Sequence, residues 1–98
     1  MELDVIRKEI DRVDAALVEL FKKRMKLCAS VAEYKRENGL PVLDASRERA
    51  LLKKISELSG EEFEEYSRVL YATILDLSRS YQHSMLKSDT SVYGEIVK

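Results

Sequence analysis

The chain has 98 residues, 45% of them hydrophobic and 36% charged, a length that allows one small domain near the lower limit for an independent core. Its 17 basic and 18 acidic residues nearly cancel, which argues against a nucleic-acid or anionic-membrane partner, so any bound anion must be held by a local cluster. The single cysteine excludes an internal disulfide and gives no metal-ligand pattern. No segment approaches the ~18 apolar residues of a membrane span. We therefore expect a cytoplasmic protein.

The N-terminal third predicts one long helix, from about Leu3 or Asp4 to Arg36 or Glu37. It contains no Gly or Pro before the segment Asn38-Gly39-Leu40-Pro41, which is typical of a helix end. An apolar stripe runs along it in steps of three and four residues, and its members are Leu3, Ile6, Ile10, Val13, Leu17, Leu20, Leu27, Val31 and Tyr34.

Arg24 occupies the slot in this stripe between Leu20 and Leu27. A guanidinium among apolar neighbours needs an anionic partner, because burying an unpaired charge costs several kcal/mol or more. Lys35 lies eleven residues further on, only ~20° away around the helix axis, and therefore shares its face. The partner of these cations is either a protein carboxylate or a ligand.

Two further helices are predicted, which makes the chain all-α with three helices. Asp44 is a candidate N-cap for a second helix of about 45–58, and Gly60 closes it. The acidic run after Gly60 suits the first turns of a third helix, which ends near Lys87. Residues 88–98 are polar and aperiodic, and we expect a loose tail or a linker stub there.

The helical domain, residues 1–87, is expected to form a homodimer. A helix of roughly 33 residues is about 50 Å long, whereas a compact domain of this size has a diameter in the mid-thirties of Å. A continuous apolar stripe on such a helix needs a second chain, and an intertwined or antiparallel two-fold dimer supplies one.

Polar side chains interrupt the apolar faces of the other helices as well. Arg47 and Glu48 extend the lines of Leu51, Leu52 and Ile55, while Ser78 and Gln82 lie four residues apart, in line with Ile74 and Met85. Each of these residues taken alone also has a structural explanation, as a snorkelling cation, a helix cap or a side chain bonded to its own helix. Together they predict a pocket that offers cations, a carboxylate, a hydroxyl and an amide.

The pattern resembles the all-helical chorismate mutases, the AroQ class, over about residues 4–87. The fragments that carry the resemblance are IRKEIDRVDAALVELFKKR, a lysine near the end of the first helix, PVLDASRER and LSRSYQ. They place the family's site residues in the same order and spacing, at Arg7, Arg24, Lys35, Asp44, Arg47, Glu48, Ser78 and Gln82.

The resemblance implies a unimolecular Claisen rearrangement of chorismate to prephenate, in an intertwined homodimer with shared sites and without a cofactor or a metal. By the same resemblance, Arg24 and Arg7 of the partner subunit bind the substrate carboxylates, assisted by Ser78. Arg47 supports the carboxylates and the shape of the site. Arginines suit this task because a guanidinium stays charged and binds a carboxylate through two bonds.

The resemblance also implies which residues contact the ether oxygen and the ring hydroxyl of the substrate. Lys35 and Gln82 would donate to the ether oxygen, where negative charge develops in the transition state. Glu48 and the region of Asp44 would hold the ring hydroxyl. The catalytic set is thus Lys35, Gln82, Arg24 and Glu48.

Two alternatives stay open from the sequence. An isochorismate pyruvate lyase shares the fold and the cations of the first helix, but that branch lacks the Asp-x-x-Arg-Glu arrangement of Asp44, Arg47 and Glu48. A non-enzymatic helical dimer, serving as a regulatory or scaffolding module, would have apolar residues or protein ion pairs at the polar positions.

Overall fold

A computed structural model describes residues 2–87, which form two helices and no strand. Helix α1 spans Leu3–Glu37 and helix α2 spans Ala45–Lys87. The prediction of an all-α chain with a long N-terminal helix is confirmed over this range. Neither helix has a stretch long and apolar enough to cross a membrane. The predicted tail, residues 88–98, lies outside the described residues.

Helix α1 ends in a hydrogen-bonded turn at Gly39. The Leu40 amide donates to the Lys35 carbonyl at 2.8 Å and the Gly39 amide to the Arg36 carbonyl at 3.3 Å, which is the Schellman pattern. Gly39 has φ 65°, a conformation that favours glycine because a Cβ would meet the backbone. The expected stop signal therefore ends the helix where the sequence placed it.

The structure has two helices and not the predicted three, because the second and third predicted helices follow each other without a loop. The predicted break at Gly60 is confirmed. Gly60 alone departs from helical geometry, with φ 75° and ψ 165°, and helix resumes at Glu61. A single residue in this conformation redirects the backbone without a loop. We call the part before the kink α2a, residues 45–59, and the part after it α2b, residues 61–87.

The buried core is small and lies at one end of the molecule. Its apolar members are Ala32 of α1, Val42 of the connecting loop, Ile55 of α2a and Leu75 of α2b. These four segments therefore meet at one place, near the C-terminal end of α1. That junction is also where the predicted site residues cluster.

The rest of α1 stands away from this junction. The described residues extend over 56 × 29 × 20 Å with a radius of gyration of 17.2 Å, against about 13 Å for a compact chain of this length. The stripe of α1 is exposed along its whole length, from Leu3 to Tyr34. On α2, 72% of Leu58 is exposed in the single chain as well. The elongated shape explains this, because no segment among residues 2–87 covers these faces.

Candidate active site

A cavity of about 280 Å³ opens where α1, the loop, α2a and α2b meet. Leu27 and Val31 of α1, Val42 of the loop, Leu51 of α2a and Leu75 of α2b form its apolar walls. More polar than apolar residues line the cavity. The polar ones are Arg24, Cys28, Lys35, Asp44, Arg47, Glu48, Ser78, Arg79 and Gln82.

Seven of the eight residues proposed from the sequence line this one cavity. They come from segments far apart in the chain, and they are Arg24, Lys35, Asp44, Arg47, Glu48, Ser78 and Gln82. The exception is Arg7, which is exposed near the other end of α1. At 1.5 Å per residue it lies about 25 Å along the helix from Arg24. Arg7 of the same chain therefore does not reach the cavity.

Arg24 has no carboxylate partner among the described residues. Its Nη1 donates to the Ser78 hydroxyl at 2.8 Å and contacts the Cys28 sulfur at 3.6 Å. The guanidinium carbon lies 5.9 Å from the centre of the Tyr71 ring, a cation–π distance. These contacts satisfy part of its donor capacity but leave its charge without a counter-ion. The charge is therefore available to an anionic ligand.

Lys35 sits at the opposite end of the cavity and binds backbone. Its ammonium donates to the Val42 carbonyl at 2.6 Å, which joins the last turn of α1 to the connecting loop. An ammonium has three donors, and this bond uses one. Lys35 thus presents a second cation to the cavity, held in place by the loop.

Helix α2b supplies the buried polar groups of the site. Ser78 and Gln82 are 4% and 7% exposed, and one turn of helix separates them along the same face. The Gln82 Oε1 atom is buried without a hydrogen-bond partner among the described residues. An unpaired buried polar atom costs about 1–3 kcal/mol, so a ligand that bonds the amide would recover that energy.

Asp44 acts as the N-cap of α2, as the sequence predicted. Its Oδ1 accepts the Arg47 amide at 3.0 Å, and its own carbonyl accepts the Glu48 amide at 3.0 Å. This cap fixes the start of α2a and thereby sets the direction in which Arg47 and Glu48 leave the first turn. The cap uses only one carboxylate oxygen of Asp44, a residue that also lines the cavity.

Arg79 is a site residue that the sequence reasoning missed. Its guanidinium forms an ion pair with the Glu48 carboxylate and a second one with Asp76. The hydrogen bond to Glu48 raises the pKa of Arg79 above its ordinary value, and desolvation lowers it by less. The spacing of Leu75, Arg79 and Gln82 by four and three residues places them on one helical face, and this pattern could have identified Arg79.

The cavity as a whole is positively charged. Four cations line it against two carboxylates, although the net charge of the full chain is only −1. A local excess of cations beside apolar walls suits a small, compact molecule with more than one carboxylate. No group of three or more metal-binding side chains occurs in the described part of the chain.

Comparison with known proteins points to one family. The family model of chorismate mutase type II matches residues 6–83. A bifunctional chorismate mutase/prephenate dehydratase of Aquifex aeolicus is 40% identical over 60 residues, which cover 61% of this chain and 17% of that protein. The T-protein of Enterobacter agglomerans is 45% identical over 51 residues, which cover 52% of this chain and 14% of that protein.

A shorter relative is similar in length to this chain. The chorismate mutase of Methanocaldococcus jannaschii is 37% identical over 60 residues, which cover 61% of both chains. The bifunctional relatives are much longer, and the matched segment spans less than a quarter of each. No solved structure matches the chain.

Proposed function

Because the chain belongs to the chorismate mutase type II family, we propose that it catalyses the rearrangement of chorismate to prephenate in the cavity described above. One observation carries the proposal. The cavity gathers seven side chains of the expected kinds, and its Arg24 and Lys35 have no carboxylate partners among the described residues. The proposal concerns this domain alone, and the further activities of longer relatives are not part of it.

The reaction requires a site that restrains the substrate's conformation and places charge beside the bond that breaks. A Claisen rearrangement breaks the ether C–O bond and forms a C–C bond within one molecule, so it needs no external nucleophile and no redox partner. A site accelerates it by holding the compact reactive conformer and by stabilising charge at the ether oxygen. A cavity with apolar walls and several positioned donors meets both requirements.

Arg24 binds one carboxylate of the substrate and Arg7 of the partner subunit binds the other, while Arg47 supports this binding from a second wall. Arg24 lies on α1 and Arg47 on α2a, so they approach the cavity from different walls. Ser78 already accepts a bond from Arg24 and orients that guanidinium. Two cations on separate walls favour a folded substrate, because an extended one would lose one of the two pairings.

Lys35 and Gln82 act at the ether oxygen. Lys35 retains free donors beside its bond to Val42, and Gln82 is buried with an unpaired amide end. The NH₂ group of the Gln82 amide is the donor in this proposal. Both donors strengthen as the oxygen becomes electron-rich, so they lower the barrier more than they favour substrate binding.

Glu48 and Asp44 accept from the ring hydroxyl. Both carboxylates lie in the first turn of α2, where the cap and the ion pair with Arg79 hold them. A hydroxyl donating to a carboxylate forms a charge-assisted hydrogen bond, which is stronger than a neutral one. The position of the hydroxyl relative to the ring carboxylate then selects the substrate's orientation.

Arg7 enters the site from a partner subunit, and this requires a homodimer. The exposed apolar stripe of α1 and the elongated shape support a second chain packed along α1. An antiparallel two-fold partner, with its axis midway between Arg7 and Arg24 of α1, would bring its own Arg7 beside Arg24. In this arrangement each site takes one arginine from each chain.

A single assay tests the function. Purified protein is mixed with chorismate, the loss of chorismate absorbance is followed, and the product is identified as prephenate. The same protein is offered isochorismate as a specificity control, with pyruvate release as the readout. A folded dimer that leaves chorismate unchanged would refute the proposal, and pyruvate release from isochorismate would favour the lyase instead.

A further inference from the structure

Arg79 and Glu48 form an ion pair that differs from the others between described side chains. Three other ion pairs join residues three positions apart on the exposed surface of a helix, and they are Arg12 with Glu9, Lys22 with Glu19, and Arg36 with Glu33. Arg79 and Glu48 are separated by 31 residues, and their side chains are only 28% and 23% exposed. This pair links α2b to the first turn of α2a across the cavity.

The guanidinium of Arg79 is held from both sides. Its Nη1 donates to Glu48 Oε1, and its Nη2 donates to Oδ1 of Asp76, one turn earlier on α2b. Asp76 is exposed and does not line the cavity, so it anchors the guanidinium from outside. The result is a continuous chain of ion pairs from Asp76 through Arg79 to Glu48.

We propose that Arg79 is a positioning residue, which fixes the Glu48 carboxylate so that its Oε2 faces the substrate's ring hydroxyl. The proposal rests on the function proposed above. Arg79 occupies Oε1 and thereby sets the rotation of the carboxylate plane. The remaining oxygen is then oriented before the substrate arrives, which removes the entropy cost of ordering it during binding.

Arg79 also keeps Glu48 away from the other cations. Arg24, Lys35 and Arg47 line the same cavity, and a mobile glutamate would pair with one of them. Such a pair would cancel part of the positive charge that binds the substrate carboxylates. With Arg79 as a dedicated partner, Glu48 contributes an acceptor and leaves those cations free.

A direct contact between Arg79 and a substrate carboxylate is the competing explanation, and a double-mutant cycle separates the two. The variants are Arg79→Met, Glu48→Gln and the combination of both, with Arg79→Lys as the conservative replacement. Arg68→Met is the matched control, because Arg68 is an exposed arginine of α2b outside the cavity. We measure kcat and KM on chorismate and the melting temperature of each variant.

We expect Arg79→Met to lower kcat/KM about 10- to 100-fold, since hydrogen bonds to charged groups have that weight. Arg79→Lys should recover most of the loss, and Arg68→Met should match the wild type. In the Glu48→Gln background, Arg79→Met should change kcat/KM by less than about twofold, because there is no carboxylate left to orient. A residue with only a structural role would shift the melting temperature but not kcat/KM per folded dimer.

Additive losses in the cycle would overturn the proposal and assign Arg79 to the substrate itself. An unchanged kcat/KM in Arg79→Met, with the protein folded, would overturn it as well. These outcomes require a wild type that consumes chorismate. An inactive wild type would instead refute the proposed function, and with it the role given to Arg79.

Discussion

Single side chains in the cavity carry charges that the protein leaves partly unpaired. Glu48 forms an ion pair with Arg79. Arg24 instead bonds to a hydroxyl and a thiol, and Lys35 bonds to a backbone carbonyl. Natural cores avoid such cations unless a partner compensates them. Here the compensation is expected from a dicarboxylate ligand, and this expectation leads to two predictions about individual residues.

Lys35→Ala and Gln82→Ala should each lower kcat about 10²- to 10³-fold, because removing one preorganised donor to a developing negative charge costs about 3–4 kcal/mol. Steady-state kinetics on chorismate measures the effect, and circular dichroism checks the fold. Lys22→Ala and His83→Ala serve as controls, since both residues are exposed and outside the cavity. If both cavity variants turn over at nearly the normal rate, the ether-oxygen site lies elsewhere.

Arg24→Leu should abolish activity while leaving the melting temperature equal to or above that of the wild type. A leucine completes the apolar stripe and relieves repulsion among the cavity cations, as expected when function is traded against stability. The Ser78 hydroxyl that loses Arg24 can turn to the carbonyl of Ile74, four residues back on its own helix. Thermal unfolding followed by circular dichroism tests this, and a marked fall in melting temperature would identify Arg24 as a structural residue.

At the scale of elements, one glycine determines how α2 is divided. Gly60 has a φ of 75° and a ψ of 165°, which is a region that only glycine visits readily. Nothing lies within 4 Å of where its Cβ would be, so the requirement comes from the backbone and not from crowding. The kink directs α2b back past α2a and brings Arg79 to Glu48.

Gly60→Ala should therefore lower the free energy of unfolding by about 1–3 kcal/mol, the cost of holding a non-glycine residue in that conformation. Urea unfolding at one fixed protein concentration measures it, because the stability of a dimer depends on concentration. Glu62→Ala is the control, as an exposed helical position expected to stay within about 0.5 kcal/mol of the wild type. A Gly60→Ala protein as stable as the control would mean that the kink can straighten.

On the scale of the whole molecule, the single chain is incomplete in two respects. It exposes the apolar stripe of α1, and its own Arg7 lies far from the cavity. A partner packed along α1 would cover the apolar stripe and bring its own arginine to the site. The proposed dimer would therefore explain both features with one arrangement, and the sharing of its site can be tested without a structure of the complex.

Arg7→Ala and Arg24→Ala should each be nearly inactive as homodimers but restore activity when they are unfolded and refolded together. Random pairing makes about half of the dimers mixed, and each mixed dimer has one site with both arginines and one with neither. About a quarter of wild-type activity should then return. Samples mixed without refolding are the control and should stay inactive. Verified heterodimers without activity would show that the site is not shared between chains.

The sequence by itself determined the helical class, the ends of α1 and the N-cap at Asp44, because these depend on local periodicity and on residues close in the chain. Helical spacing also identified six side chains of the cavity, and the resemblance to the family added Asp44. Only the tertiary structure decided that residues 45–87 form one kinked helix, because the direction taken at Gly60 depends on what the flanking segments pack against. The same holds for the pairing of Arg79 with Glu48 across 31 residues. Contacts between distant segments follow from packing in three dimensions, and no local pattern in the chain encodes them.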